Sequence, residues 1–192
     1  RLAQVTLTLD GVRLGVSAVA LAGDEPVLRL YDLNTGSSTY VTRLGADLSP
    51  RWGIVFGALG HGGLACTDRD HCTVVSGDVQ GRSSALTLDA DGVPVNEVGW
   101  LGHTEIQRVF GRGGEVVVRH RPPIGGEVTI VADDVSGCAG ASEHVSTLTP
   151  VTFVSAPSEV PLEVVNDELV GAVDAREEAE ETEELPLPRQ CE

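Results

Sequence analysis

Apolar and polar residues alternate along most of this chain in short runs, the two-residue period of strands that bury one face. The runs fall at 16–21, 27–31, 39–44, 54–59, 64–67, 72–76, 83–88, 98–101, 106–110, 115–120 and 127–131. Residues that turn a chain stand between them: Asp24-Glu25-Pro26, Asn34-Thr35-Gly36, Gly60-His61-Gly62-Gly63, Asp68-Arg69-Asp70-His71 and Pro122-Pro123. Asp and Asn bond their own backbone in turns, and Gly accepts a positive φ. No long helix-period stretch precedes the C-terminal tail. The pattern predicts an all-β fold of short antiparallel strands, with Arg29 pointing outward from its strand.

One stretch recurs. Residues 84–95 read Ser-Ala-Leu-Thr-Leu-Asp-Ala-Asp-Gly-Val-Pro-Val, a strand, a tight turn and a second strand whose Pro94 places it at an edge or a strand start. Residues 7–12 repeat this text with two turn residues removed, and 41–50 repeat it with one residue inserted. Residues 128–135 keep its Thr and its Ala-Asp pair. The anchoring threonines are Thr8, Thr42, Thr87 and Thr129, in steps of 34, 45 and 42 residues. Periods of about 40–50 residues belong to propeller blades, and four short strands per unit is the pattern of one blade. On this reading 1–15 end a repeat, and Trp52 and Trp100 fall near unit starts, where they pack between neighbours.

The Leu-Thr-Leu-Asp-Ala-Asp-Gly-Val-Pro-Val text resembles the outer strand and turn of secreted bacterial β-propeller repeats, over roughly residues 1–135. The resemblance implies a blade stack in a secreted or surface protein that binds through its loops, and it carries over no catalytic residue. Propellers close with about 4–8 blades. Three to four units are visible, so an incomplete or small β-propeller is expected. The chain divides into a blade-like region at 1–135, a loop with an additional β-hairpin at 136–173, and an acidic, Pro-containing tail at 174–192.

Charge sharpens that division. The net charge is −16, and residues 157–192 hold 12 acidic and 2 basic side chains, so the tail reads as disordered. Such a balance argues against nucleic-acid binding, which needs clustered cations. No apolar run approaches the roughly 18 residues of a membrane span. A chain of 192 residues that opens on Arg1 inside a strand-like run, with no Met, reads as a fragment or processed form.

The candidate chemistry is sparse. Cys66, Cys72, Cys138 and Cys191 form an even set and are disulfide candidates, with Cys66 and Cys72 spaced for a hairpin staple. Free thiols, or a zinc site using Cys66, Cys72, His71 and His61, are the other readings. Disulfides point to an extracellular, cell-surface or periplasmic location. Asp89 and Asp91 are candidate calcium ligands, against which stands a plain Asx turn, since no third acidic position or distal Glu is in register. No other cofactor is expected. His61, His71, His103 and His120 fall in or beside turns, so that they could converge at one rim. The expected function is a non-catalytic β-scaffold that binds a protein or glycan. A hydrolase or lyase with its site at one rim of a propeller, and a calcium-stabilised structural domain, are the alternatives.

Overall fold

The computed structural model describes residues 5–157, except 36–37, 57–61, 78–81, 102–104, 122–127, 133–137, 139 and 145–147. The described residues form strands and turns and no helix: β1 (Val5–Thr8), β2 (Leu14–Ala22), β3 (Glu25–Asp32), β4 (Thr39–Leu44), β5 (Pro50–Phe56), β6 (Gly62–Cys66), β7 (Cys72–Gly77), β8 (Arg82–Leu88), β9 (Pro94–Leu101), β10 (Glu105–Arg112), β11 (Glu115–Arg121), β12 (Val128–Val131), β13 (Ser142–His144), β14 (Thr149–Pro150) and β15 (Val154–Pro157). The fold is all-β, with antiparallel pairing throughout. The acidic tail lies outside the described residues.

Three meanders account for most of the strands. The first sheet runs β2-β3-β4-β5 with β14 added beside β5, and the second runs β6-β7-β8-β9 with β13 added beside β9. The third holds β10-β11-β12, while β1 and β15 form a separate pair. Two segments of 136–173 therefore extend existing sheets. The fourth strands that they join would otherwise leave unpaired backbone groups at a sheet edge.

The sheets are stacked face on face. Ala22, Val27, Val41 and Ile54 of the first sheet pack against Leu64, Cys72, Val74, Leu86 and Leu88 of the second. The opposite face of the second sheet, with Ala65, Val75, Ala85, Val98 and Trp100, packs against Ile106, Val116, Val118, Ile130 and Ala132 of the third stretch of chain. Burying one Val or Leu contributes about 1.5–3 kcal/mol, so these two interfaces supply most of the cohesion between sheets. Coverage on both faces explains why β4 is buried at all six positions and why its burial does not alternate. The outer face of the first sheet is capped over β3–β5 and the start of β2, where Leu30, Tyr40 and Phe153 cluster with Leu9, Val12, Leu14 and Val151.

The turns at 45–49 and 89–93 share one form, at a different alignment from the expected one. Leu44 ends β4 and Leu88 ends β8, each the third strand of its sheet. Gly45 N–H donates to the Ser49 carbonyl (2.8 Å) and Leu48 N–H to that of Gly45 (2.8 Å); Asp89 N–H donates to Val93 (2.9 Å) and Gly92 N–H to Asp89 (3.1 Å). Leu48 and Gly92 both have positive φ, at 63° and 78°. Pro50 and Pro94 then open the fourth strands. The two turns match bond for bond without an inserted residue at a step of 44, so Thr42 corresponds to Leu86 and not to Thr87. Thr129 lies in the third strand of the third sheet, whereas Thr8 belongs to β1 and has no equivalent place.

The grouping of strands into sheets also differs from expectation. Trp52 and Trp100 lie in β5 and β9, the fourth strands, and not at unit starts. A tight turn joins adjacent strands of one sheet, so the turns at 45–49 and 89–93 lie inside a sheet. Both Trp side chains nevertheless pack between sheets, Trp52 against the 89–92 turn and Trp100 edge-on to His120.

Candidate binding rim

In a meander, alternate turns fall at the same end of the sheet. The turns after β2, β4, β6, β8 and β10 therefore gather at one end of the stack, and contacts between sheets tie them together. Trp52 Nε1 donates to the Ala90 carbonyl at 2.9 Å, and Arg43 Nη1 reaches the same oxygen at 3.4 Å. Gly23 sits against the Arg69 stem, since a Cβ added there would lie 3.5 Å from Arg69 Cγ. Gly92 allows a closer approach still. An added Cβ would meet the Trp52 indole at 2.6 Å, and its φ of 78° already favours glycine.

Carboxylates brace the turns from within. Asp47 accepts from the Ser49 hydroxyl (2.6 Å) and backbone N–H (3.1 Å). Asp68 accepts from the N–H groups of Asp70 and His71, both at 2.7 Å, and meets His71 Nδ1 at 3.1 Å. Asp89 accepts from Asp91 (2.9 Å) and Val93 (2.8 Å). The Ser49 hydroxyl holds the Asp47 carboxyl below the usual carboxylate range, and the His71 side chain does the same for Asp68. Asp32, near the opposite end, is lowered by the Thr35 hydroxyl in the Asn34-Thr35 turn.

Cys66 and Cys72, directly opposite one another at the ends of β6 and β7, are joined in a disulfide. Each sulfur is consumed by the other, which removes the zinc reading for this pair, and His71 turns to Asp68 instead. Cys138 is buried and also disulfide-bonded; Cys191 lies outside the described residues. The proposed calcium pair, Asp89 and Asp91, sits at the rim with Asp89 Oδ1 engaged by its own turn. Among the described residues no three or more His, Cys, Asp or Glu side chains gather where they could hold a metal ion.

The histidines are not brought together where they are described. His71 is exposed in its turn, and His120 is 1% exposed between the second and third sheets. Burial pushes the His120 imidazole down from 6.5 to about 4, so it is neutral at neutral pH. His61 and His103 lie outside the described residues.

Arg29 corrects the expectation of an outward side chain. It is 3% exposed and turned towards the second sheet, donating to Ser17 Oγ at 2.9 Å and reaching Ser76 Oγ at 3.5 Å. Alternation marks two faces, and stacking decides that neither is solvent. A second buried polar group was not foreseen at all. Glu25 is 2% exposed and accepts from Arg43 Nε at 2.7 Å while Arg51 pairs with its other oxygen. Its position after Asp24 in a turn-like triplet gave no sign of burial.

The described chain has no helix long and apolar enough to cross a membrane. No family model, curated protein or solved structure matches the chain.

Proposed function

We propose that this chain is a non-catalytic β-scaffold, built as an open run of propeller-like blades, that binds a protein or glycan at the turn-bearing rim. One observation carries this reading: turns of the first and second sheets are assembled at one end and held by carboxylate-to-backbone bonds, a disulfide and the Trp52–Ala90 contact, with Gly111, just before the β10–β11 turn, seated against the Cys66 carbonyl. A loop surface fixed before binding loses little conformational entropy when a partner docks. The rim offers exposed Arg69, Asp70, His71 and Asp91 as polar recognition groups. The Cys66–Cys72 disulfide fits an oxidising compartment, which supports an extracellular, cell-surface or periplasmic location.

The test is a glycan and surface-protein array probed with the labelled chain. A specific hit should lose at least about tenfold in affinity, or about 1.4 kcal/mol, with Arg69→Ala or Asp70→Ala. Their urea midpoints should stay unchanged. Hits indifferent to both changes but abolished by Asn34→Ala, near the opposite end, would refute the rim assignment. Turnover of an arrayed glycan would refute the non-catalytic reading.

A further inference from the structure

The first and third sheets each keep one face that no other sheet covers among the described residues. On the first sheet this face contains an apolar strip along β2. Val16, Val19 and Leu21 are 58%, 58% and 62% exposed. Pairing places Val19 beside Leu28 and Val16 beside Leu30, on the side away from the second sheet. The corresponding face of the second sheet carries Leu64, Val74 and Leu86, at 5%, 1% and 2% exposure, because the first sheet covers it. The cap of Leu9, Val12, Val151 and Phe153 reaches β2 at Leu14 and leaves Val16, Val19 and Leu21 exposed. The uncovered part is thus the edge at which sheets in this chain meet, since β2 packs against β6, and β6 against β10.

We propose that the strip is covered by the outer face of the third sheet of a second copy of this chain, so that two copies close a ring of six sheets. The occupant follows from continuity with the two interfaces already present. In both, the strip-equivalent face of one sheet receives the opposite face of its neighbour, never its own kind. Continued once more, that rule brings the third sheet's outer face onto the β2 strip, a face where Val117 is 6% exposed, Arg108 and Arg119 lie over the Phe110 ring, and Thr129 and Val131 stand beside them. Such head-to-tail contacts close into a ring when the rotation allows. Six sheets lie within the range of about 4–8 over which blade rings close. The proposal shares with the rim reading only the sheet stack: a monomer that binds a glycan refutes this proposal alone, and a dimer that binds nothing refutes the other.

Sedimentation velocity of the 192-residue chain, from about 1 to 100 µM so as to span Kd values in the micromolar range, is the measurement. A species of twice 20.1 kDa is expected. Val19→Glu with Leu21→Glu should weaken assembly at least about 100-fold and leave the urea midpoint in place, because both side chains already face solvent. Val95→Glu, on an exposed position of β9, should leave assembly intact. Val131→Glu, or Thr129→Glu where the first does not fold, should break assembly from the other side, and mixing it with the strip variant should restore a heterodimer. A chain that remains at 20.1 kDa throughout overturns the proposal. So does a dimer untouched by the strip variant, or strip and third-sheet variants that never recombine, which would mark a symmetric strip-to-strip contact.

Discussion

Replacing Glu25 by Ala should be among the most damaging single changes in the first sheet. Its carboxylate and the Arg43 guanidinium have side chains only 3% and 4% exposed, and they meet at 2.7 Å. Removing the carboxylate leaves Arg43 buried, with the Ala90 carbonyl 3.4 Å from its Nη1 across the sheets. Breaking a buried ion pair from one side costs about 3–5 kcal/mol, chiefly because the remaining charge stays desolvated. Arg51 touches the same carboxylate, yet its side chain is 53% exposed. A pair with one partner in solvent is worth about 0–1 kcal/mol. Arg51→Ala should therefore cost under about 1 kcal/mol although it deletes a contact to the same group. Equilibrium urea unfolding, with m-values compared to confirm two-state behaviour, measures both. Replacing both Glu25 and Arg43 by Leu should recover most of the loss of Glu25→Ala, since no charge is then left buried. Equal costs for Glu25→Ala and Arg51→Ala, or no recovery in the double variant, would refute the view that burial sets the energetics here.

Gly92→Ala should destabilise by about 2 kcal/mol or more, combining left-handed backbone strain with the clash on Trp52, and urea unfolding reads it directly. Stability should fall as pH drops from about 6.5 to about 4: His120 is held neutral in the folded chain and takes a proton in the unfolded one, so the unfolded state binds the extra proton in that window. The full loss is about 3 kcal/mol, and His120→Phe should flatten the profile there, leaving the decline below about pH 4 that belongs to Asp32, Asp47 and Asp68. Replacing Cys66 and Cys72 together by Ala should cost about 2 kcal/mol on the chain-entropy account of a short closed loop, seen as a lower urea midpoint. Alkylation in denaturant without reductant, read by peptide mass, should leave Cys66, Cys72 and Cys138 unlabelled.

Several features could be read from the residues alone because they depend on local rules. Leu86-Thr87-Leu88 followed by Asp-Ala-Asp-Gly specifies a strand and an Asx-braced turn through nearest-neighbour chemistry, and the turn forms as read. The spacing of Cys66 and Cys72 across a hairpin is likewise local. What the pattern could not supply was which strands share a sheet, because a strand's alternation is indifferent to its neighbour. The strand grouping in the structure therefore stands one strand away from the expected one, and the turn geometry aligns Leu44 with Leu88 rather than Thr42 with Thr87. Burial of Arg29, Glu25 and His120 was equally hidden, since each depends on a second sheet arriving over a face that the sequence labels polar. Packing of one sheet on the next decides which polar groups lose water, and with them the charges that hold the stack and the strip on β2 that is left uncovered.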